Sequence, residues 1–319
     1  MSEMKRRTFL TAAGIGLTAA AAQADPPDAI PIIDSHIHLF DQTRPQGVPY
    51  SGRKENTEPA LPPRYRKLAA PLGIVGAVAI EASPWVEDNL WLLEVEQNHP
   101  IMAGAIGNLR PEKPEFKEYL ERYHRNKLFL GIRYGNLWGY DLVAQVANAV
   151  FLEGIKLLQQ ADLTLDTANP RLDLLEAVVR LTDRAPGLRV VMDHVPHLLE
   201  GCDARARAPV EASLKELAQR PTVYIKVSEV MRIVDGRPST DPALYKPDLD
   251  FLFETFGEDR LVFGSDWPNG AAVGNLPTIV KIAQDYFTAK GRTASEKYFW
   301  KNSIAAYKWI RRDPAQPRL

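Results

Sequence analysis

Cysteine is almost missing from this chain: Cys202 is the only one in 319 residues. A single thiol excludes an intrachain disulfide and any zinc site built from paired cysteines. An excess of either charge is missing too. Lys and Arg number 39 against 40 Asp and Glu, for a net charge of −1, so no basic field points to nucleic acid. No apolar run reaches the ~20 residues that a membrane span needs. No G-x-G-x-x-G follows an early apolar run, which argues against a dinucleotide-binding sheet. Histidine is scarce, at six, so the place of each one carries information.

What remains is ordinary globular composition, 45% hydrophobic and 25% charged, long enough for one large core. The N-terminus reads differently. Lys5-Arg6-Arg7-Thr8-Phe9-Leu10 leads into a small apolar stretch from Thr11 to Ala22, and Ala22-Gln23-Ala24 fits an A-x-A cleavage site. Paired arginines before such a stretch predict a bacterial export signal over residues 1–24, of the twin-arginine type. Its removal leaves residues 25–319 as a single domain in the periplasm or outside the cell.

In that domain, short apolar runs alternate with helical patterns. The runs are Pro31–His38, Ile74–Ala82, Ile101–Asn108, Leu128–Tyr134, Leu163–Asp166, Leu188–His194, Val223–Val227 and Leu261–Ser265. Amphipathic stretches between them include Trp91–Gln97, Glu112–His124, Asp141–Gln160, Leu172–Ala185 and Val210–Gln219. Strands rich in Val, Ile and Leu with little alternation suit a parallel sheet covered on both faces. Eight of them alternating with helices predict a TIM (β/α)8 barrel; an open doubly wound sheet is the weaker alternative. The polar, Pro-rich connection from Asp41 to Leu68 shows no periodicity and falls over the predicted barrel mouth.

Barrel enzymes carry their chemistry at the C-terminal ends of the strands. Here the first strand ends in Asp34-Ser35-His36-Ile37-His38, whose two imidazoles share a face because strand side chains alternate. The second ends at Glu81, the third at Asn108 and the fourth at Arg133. Asp166, His194, Lys226 and Asp266 follow on strands five to eight. Polar and charged groups are costly at the end of an apolar run unless partnered, and a ring of them at one barrel face is the pattern of an active site. Asp193 is expected to point away from His194, and His197 to be a loop residue. Trp85, Tyr134, Trp138 and Trp267 lie near the same ends and form a candidate apolar or sugar-stacking wall.

At these residues the chain resembles the amidohydrolase superfamily, in its lactonase-like amidohydrolase-2 branch. The matches are Ile33-Asp34-Ser35-His36-Ile37-His38, Gly131-Ile132-Arg133, Met192-Asp193-His194, Val223–Ser228, Leu261–Pro268 and the closing Asn302–Tyr307. The resemblance implies a distorted (β/α)8 barrel and hydrolysis of a lactone or a related carbon–oxygen or carbon–nitrogen bond. It also carries departures. Where binuclear members use a carboxylated lysine, the fourth strand has Arg133, and the fifth ends at Asp166 instead of a histidine. A two-metal centre is therefore not expected. His36, His38, His194 and Asp266 remain as a set for one divalent metal, Zn²⁺ among the candidates, or for a metal-free site.

In that reading Asp266 activates water, while His36, His38 and His194 polarise the carbonyl directly or through one metal. Arg133, Lys226, Glu81 and Trp267 are the expected substrate-binding residues, for a small acidic or sugar-derived lactone. A metal-dependent decarboxylase on the same barrel and a non-catalytic exported binding protein are the competing readings.

Overall fold

The computed structural model describes residues 29–50, 58–270 and 274–318. The expected export signal lies outside these residues. Eight strands form one parallel sheet: β1 (Ile32–His38), β2 (Ile74–Ile80), β3 (Met102–Gly107), β4 (Phe129–Arg133), β5 (Thr164–Asp166), β6 (Arg189–Met192), β7 (Val223–Val227) and β10 (Leu261–Phe263). All eight predicted runs are present. Each of the eight pairs in parallel with the next of the eight in chain order, the singly wound arrangement of a (β/α)8 barrel. The last seam closes loosely. Ile37 and Trp267 form an isolated parallel bridge, the His38 amide donates to the Trp267 carbonyl at 2.7 Å, and the Asp266 amide donates to the His36 carbonyl at 2.8 Å. The result is the expected distorted barrel.

Two apolar layers hold it. Inside, Ile33, Val78, Ile80, Ile106, Leu130, Val191 and Val262 pack together. Trp300, Tyr307 and Trp309 of the closing segment join them. Thr164 Oγ1 and Arg189 Nε both donate to the Ala306 carbonyl. Because Thr164 and Arg189 begin their strands, the closing helix (Asn302–Tyr307) plugs the N-terminal end of the barrel. Outside, helices such as Leu172–Arg184 lay a fully buried stripe of Leu174, Leu175, Val178 and Leu181 on the sheet.

Three sequence expectations change. The connection 41–68 is not wholly irregular: Phe40 bridges Ala60, and a helix starts at Pro62, where proline's missing N–H costs nothing. The stretch Asp141–Gln160 splits into helices Leu142–Gln145 and Ala149–Gln160, capped by the Asp141 and Asn148 side chains. After β7 comes a two-stranded hairpin, β8 (Arg232–Val234) and β9 (Arg237–Ser239), whose Asp235-Gly236 turn has positive φ at both residues.

Candidate active site

The apolar start of β1 drives it into the barrel wall, and its period of two aims His36 and His38 the same way. Their Nε2 atoms lie 3.2 Å apart. Asp266 reaches the same point from the opposite side of the seam. Its φ of 56° turns the chain out of β10 and sets Oδ1 3.2 Å from His38 Nε2 and 3.5 Å from His36 Nε2. Gly264 makes this approach possible, because a Cβ there would stand 2.8 Å from the His36 Cβ.

The three atoms suit one metal ion. Ligands on a tetrahedron with bonds of about 2.0–2.1 Å lie about 3.3 Å apart, close to the three spacings found. The donor chemistry agrees. His38 Nδ1 meets the Ile80 carbonyl at 3.0 Å, an acceptor that selects the tautomer with its proton on Nδ1 and Nε2 bare. Burial holds His36 well below the ordinary histidine pKa, hence neutral. The Asp266 Oδ1 atom, buried, has no hydrogen-bond partner. A cation between them satisfies all three atoms, and Asp266 neutralises part of its charge.

His194 does not join that triad, although the sequence reading placed it there. It packs against His36 with ring centroids 4.5 Å apart and groups with His36 and Asp193 instead. Its Nδ1 meets Ser228 Oγ at 2.8 Å, and burial lowers its pKa to about 4. Asp193 also departs from expectation, since it points inward. β6 ends at Met192, and the left-handed backbone of His194, at φ 55°, breaks the alternation that would have sent the two side chains apart. Asp193 Oδ1 lies 2.8 Å from Lys226 Nζ and 3.6 Å from His36 Nδ1, and its Oδ2 lies 3.1 Å from Arg133 Nε. Although burial opposes its ionised form, Lys226 and His36 hold its carboxyl well below the usual range.

A cavity of about 480 Å³ opens above the triad. His38, Asp266 and His194 line it, together with Glu81, Arg133 and Trp138. Glu81 accepts from Trp138 Nε1 at 2.9 Å and from the Ser83 amide at 3.1 Å, and burial raises its pKa. His36 is fully buried and does not line the cavity, so it acts only from behind His38 and Asp266. Two expected substrate contacts fail the same test. Lys226 is fully buried between Asp166 and Asp193, and Trp267 is buried against Tyr65. Of the proposed aromatic wall, Trp138 alone lines the cavity.

Sequence reasoning missed Tyr50, Asn169, Arg171, His197, Glu229 and Asn269, which also line the cavity. Asn169, Glu229 and Asn269 stand two or three residues beyond Asp166, Val227 and Asp266. Counting on from each strand end into its loop would have found them. His197 sits on a short helix, Val195–Leu199, not in a loop.

The family model described as amidohydrolase matches residues 33–309. The chain belongs to the amidohydrolase family. It is a hydrolase, and its relatives share most of its length. An L-fucono-1,5-lactonase of Burkholderia multivorans is 27% identical over 295 residues, covering 90% of this chain and 98% of that protein. A crystal structure of a Burkholderia multivorans amidohydrolase with bound zinc matches with TM-score 0.77 at 23% identity, over 88% of this chain and all of the other. A putative 2-pyrone-4,6-dicarboxylic acid hydrolase from Pseudomonas putida matches with TM-score 0.68 at 22% identity, over 88% and 98%. The two structural likenesses are likenesses of fold. In this amidohydrolase the fourth strand presents Arg133 to the site, already paired with Glu81 and Asp193.

Proposed function

We propose that this amidohydrolase opens a neutral, polyhydroxylated lactone by adding water across the ring ester. The observation that carries the choice is the state of the cavity's cations. Arg133 is engaged by Glu81 and Asp193, Arg171 makes a two-pronged contact with Asp173, and Lys226 is sealed below. A dicarboxylate substrate would need a cation free for bidentate pairing. The lining instead offers Glu81, Glu229, Asn169 and Asn269 to hydroxyl groups and the Trp138 ring to a sugar face. The curated relatives named as L-fucono-1,5-lactonases support the same class.

His36, His38 and Asp266 would hold the metal. A divalent ion such as Zn²⁺ there supplies a Lewis acid for the carbonyl and lowers the pKa of water. Asp266 takes the proton as water adds to the carbonyl carbon. His194 faces the cavity with Nδ1 engaged by Ser228, and a proton on Nε2 lets it donate to the developing oxyanion. The ring C–O bond then breaks. The departing ring oxygen takes the proton from Asp266, which leaves a hydroxy acid and restores the carboxylate.

The test is acid release at constant pH from a panel of neutral sugar δ-lactones and pyrone dicarboxylates, with metal content measured on the same preparation. Neutral lactones should be opened at least ~100-fold more efficiently, since a substrate carboxylate would be desolvated without a free cation. Asp266→Asn should remove turnover by ~10³-fold or more while the protein stays folded. Preference for the dicarboxylates, or carbon dioxide release in place of acid, would overturn the proposal.

A further inference from the structure

One buried group has no part in that chemistry. Lys226 is an ionisable side chain of zero exposure at the middle of the barrel. Its Nζ lies 2.7 Å from Asp166 Oδ2 and 2.8 Å from Asp193 Oδ1. Asp166 Oδ2 also accepts from Tyr307 Oη at 2.8 Å. Asp193 in turn faces His36 Nδ1 at 3.6 Å, and no hydrogen-bond partner satisfies that ring nitrogen. The groups form a line from the closing helix to His36: Tyr307, Asp166, Lys226, Asp193, His36. Gly264 leaves room for it, since a Cβ there would press on the Lys226 stem at 3.2 Å as well as on His36.

We infer that Lys226 is a positioning residue that holds the Asp193 carboxylate against His36 Nδ1 and so fixes Nε2 as the His36 nitrogen that meets the metal. A metal-binding histidine is oriented by what its other nitrogen donates to, and a carboxylate is the strongest such acceptor. Asp193 can play that part only while its own position is fixed. Arg133 Nε lies 3.1 Å from its Oδ2, and Lys226 Nζ 2.8 Å from Oδ1, the oxygen that faces His36. A merely structural ion pair would not need to place that oxygen there. The inference rests on the metal reading of His36, His38 and Asp266, and its experiment separates the two.

Lys226→Met alone leaves two buried carboxylates without their cation and is expected to lower the thermal midpoint sharply. The informative variant is Lys226→Met with Asp166→Leu, which removes the cation and the far carboxylate together and leaves Asp193 with Arg133. Two quantities are measured on the full chain: the thermal midpoint, and zinc affinity by competition with a chelator. The double variant should recover most of the midpoint lost in Lys226→Met, yet bind zinc ~10–100-fold more weakly than the wild type, the usual cost of losing a ligand's partner. Wild-type zinc affinity in the double variant would overturn the inference and leave Lys226 a fold-stabilising group only. If the wild type binds no zinc, the metal reading fails on its own. The ¹⁵N shifts of the His36 ring, identified by their loss in His36→Gln, then decide the inference. A single tautomer protonated at Nδ1 in the wild type and a mixture in the double variant sustain it, and the same tautomer in both overturns it.

Discussion

The carboxylate of Asp34, in β1, accepts a hydrogen bond from the backbone amide of Ser265 at 2.8 Å. The two residues are 231 positions apart in sequence, and the contact pins the loosest seam of the barrel beside its active site. Asp34 also accepts from Tyr65 Oη at 2.7 Å and from the His36 amide at 3.2 Å. The Ser35 hydroxyl adds a bond to the Phe263 carbonyl. In Asp34-Ser35-His36-Ile37-His38, then, the first two residues fasten the seam and the two histidines use it.

Replacing that acceptor should cost much more than a surface change. Asp34→Ala strands the Ser265 amide and the Tyr65 hydroxyl in a buried site and should destabilise the fold by about 3 kcal/mol. Denaturant unfolding monitored by tryptophan fluorescence measures it. A loss below about 1 kcal/mol would show that the seam relaxes or admits water.

Gly264→Ala tests the close approach of β10 to His36. The added methyl would meet the His36 Cβ at 2.8 Å and the Lys226 stem at 3.2 Å. Neither neighbour is the free end of a flexible chain. The expected result is a loss of about 1–3 kcal/mol from overpacking, together with weaker zinc binding as β1 and β10 separate. A variant as stable as the wild type would mean that the seam can widen without strain.

Glu96 is a buried carboxyl away from the site, in the helix Asp88–Gln97. Burial pushes its pKa well above the usual 4.5, against the pull of Arg312 and the Ala79 amide. Below 4.5 the group is protonated in the folded and unfolded chains alike and changes nothing. As pH rises, the unfolded chain releases its proton first, so this group subtracts stability until the folded carboxyl ionises too. Glu96→Gln should therefore stabilise the protein at pH 8, with the gain vanishing by about pH 4. Arg312 keeps its bonds to the Glu96, Gln97 and Met102 carbonyls in either case. Thermal midpoints of both proteins across that range check it; a gain that grows toward acid would reverse the sign.

Trp138→Ala probes the sugar-facing wall. The indole is held by Glu81 at 2.9 Å and lines the cavity. Losing it should raise KM for a neutral sugar lactone by about 3–10-fold, the worth of one aromatic contact, with kcat changed less. Steady-state acid release separates the two constants, and an unchanged KM would remove Trp138 from the substrate wall.

Much of this molecule could be read from its sequence. The eight strands and the residues at their ends follow from local patterns, because an apolar run enters the barrel wall wherever it occurs and side-chain alternation is a local property. His36, His38, Asp266 and the cavity position of Glu81 and Arg133 were legible for that reason. Depth and pairing were not. His36 and His38 share a face, yet His38 lines the cavity and His36 is sealed. Lys226 and Arg133 both stand near strand ends, yet Lys226 is fully buried between two carboxylates that lie 60 and 33 positions away. Asp193 turns inward because His194 takes a left-handed backbone that no alternation rule anticipates. Such choices depend on which strands lie across the barrel and how far down its axis each side chain sits, so they are settled by contacts remote in sequence, and only the closed barrel decides them.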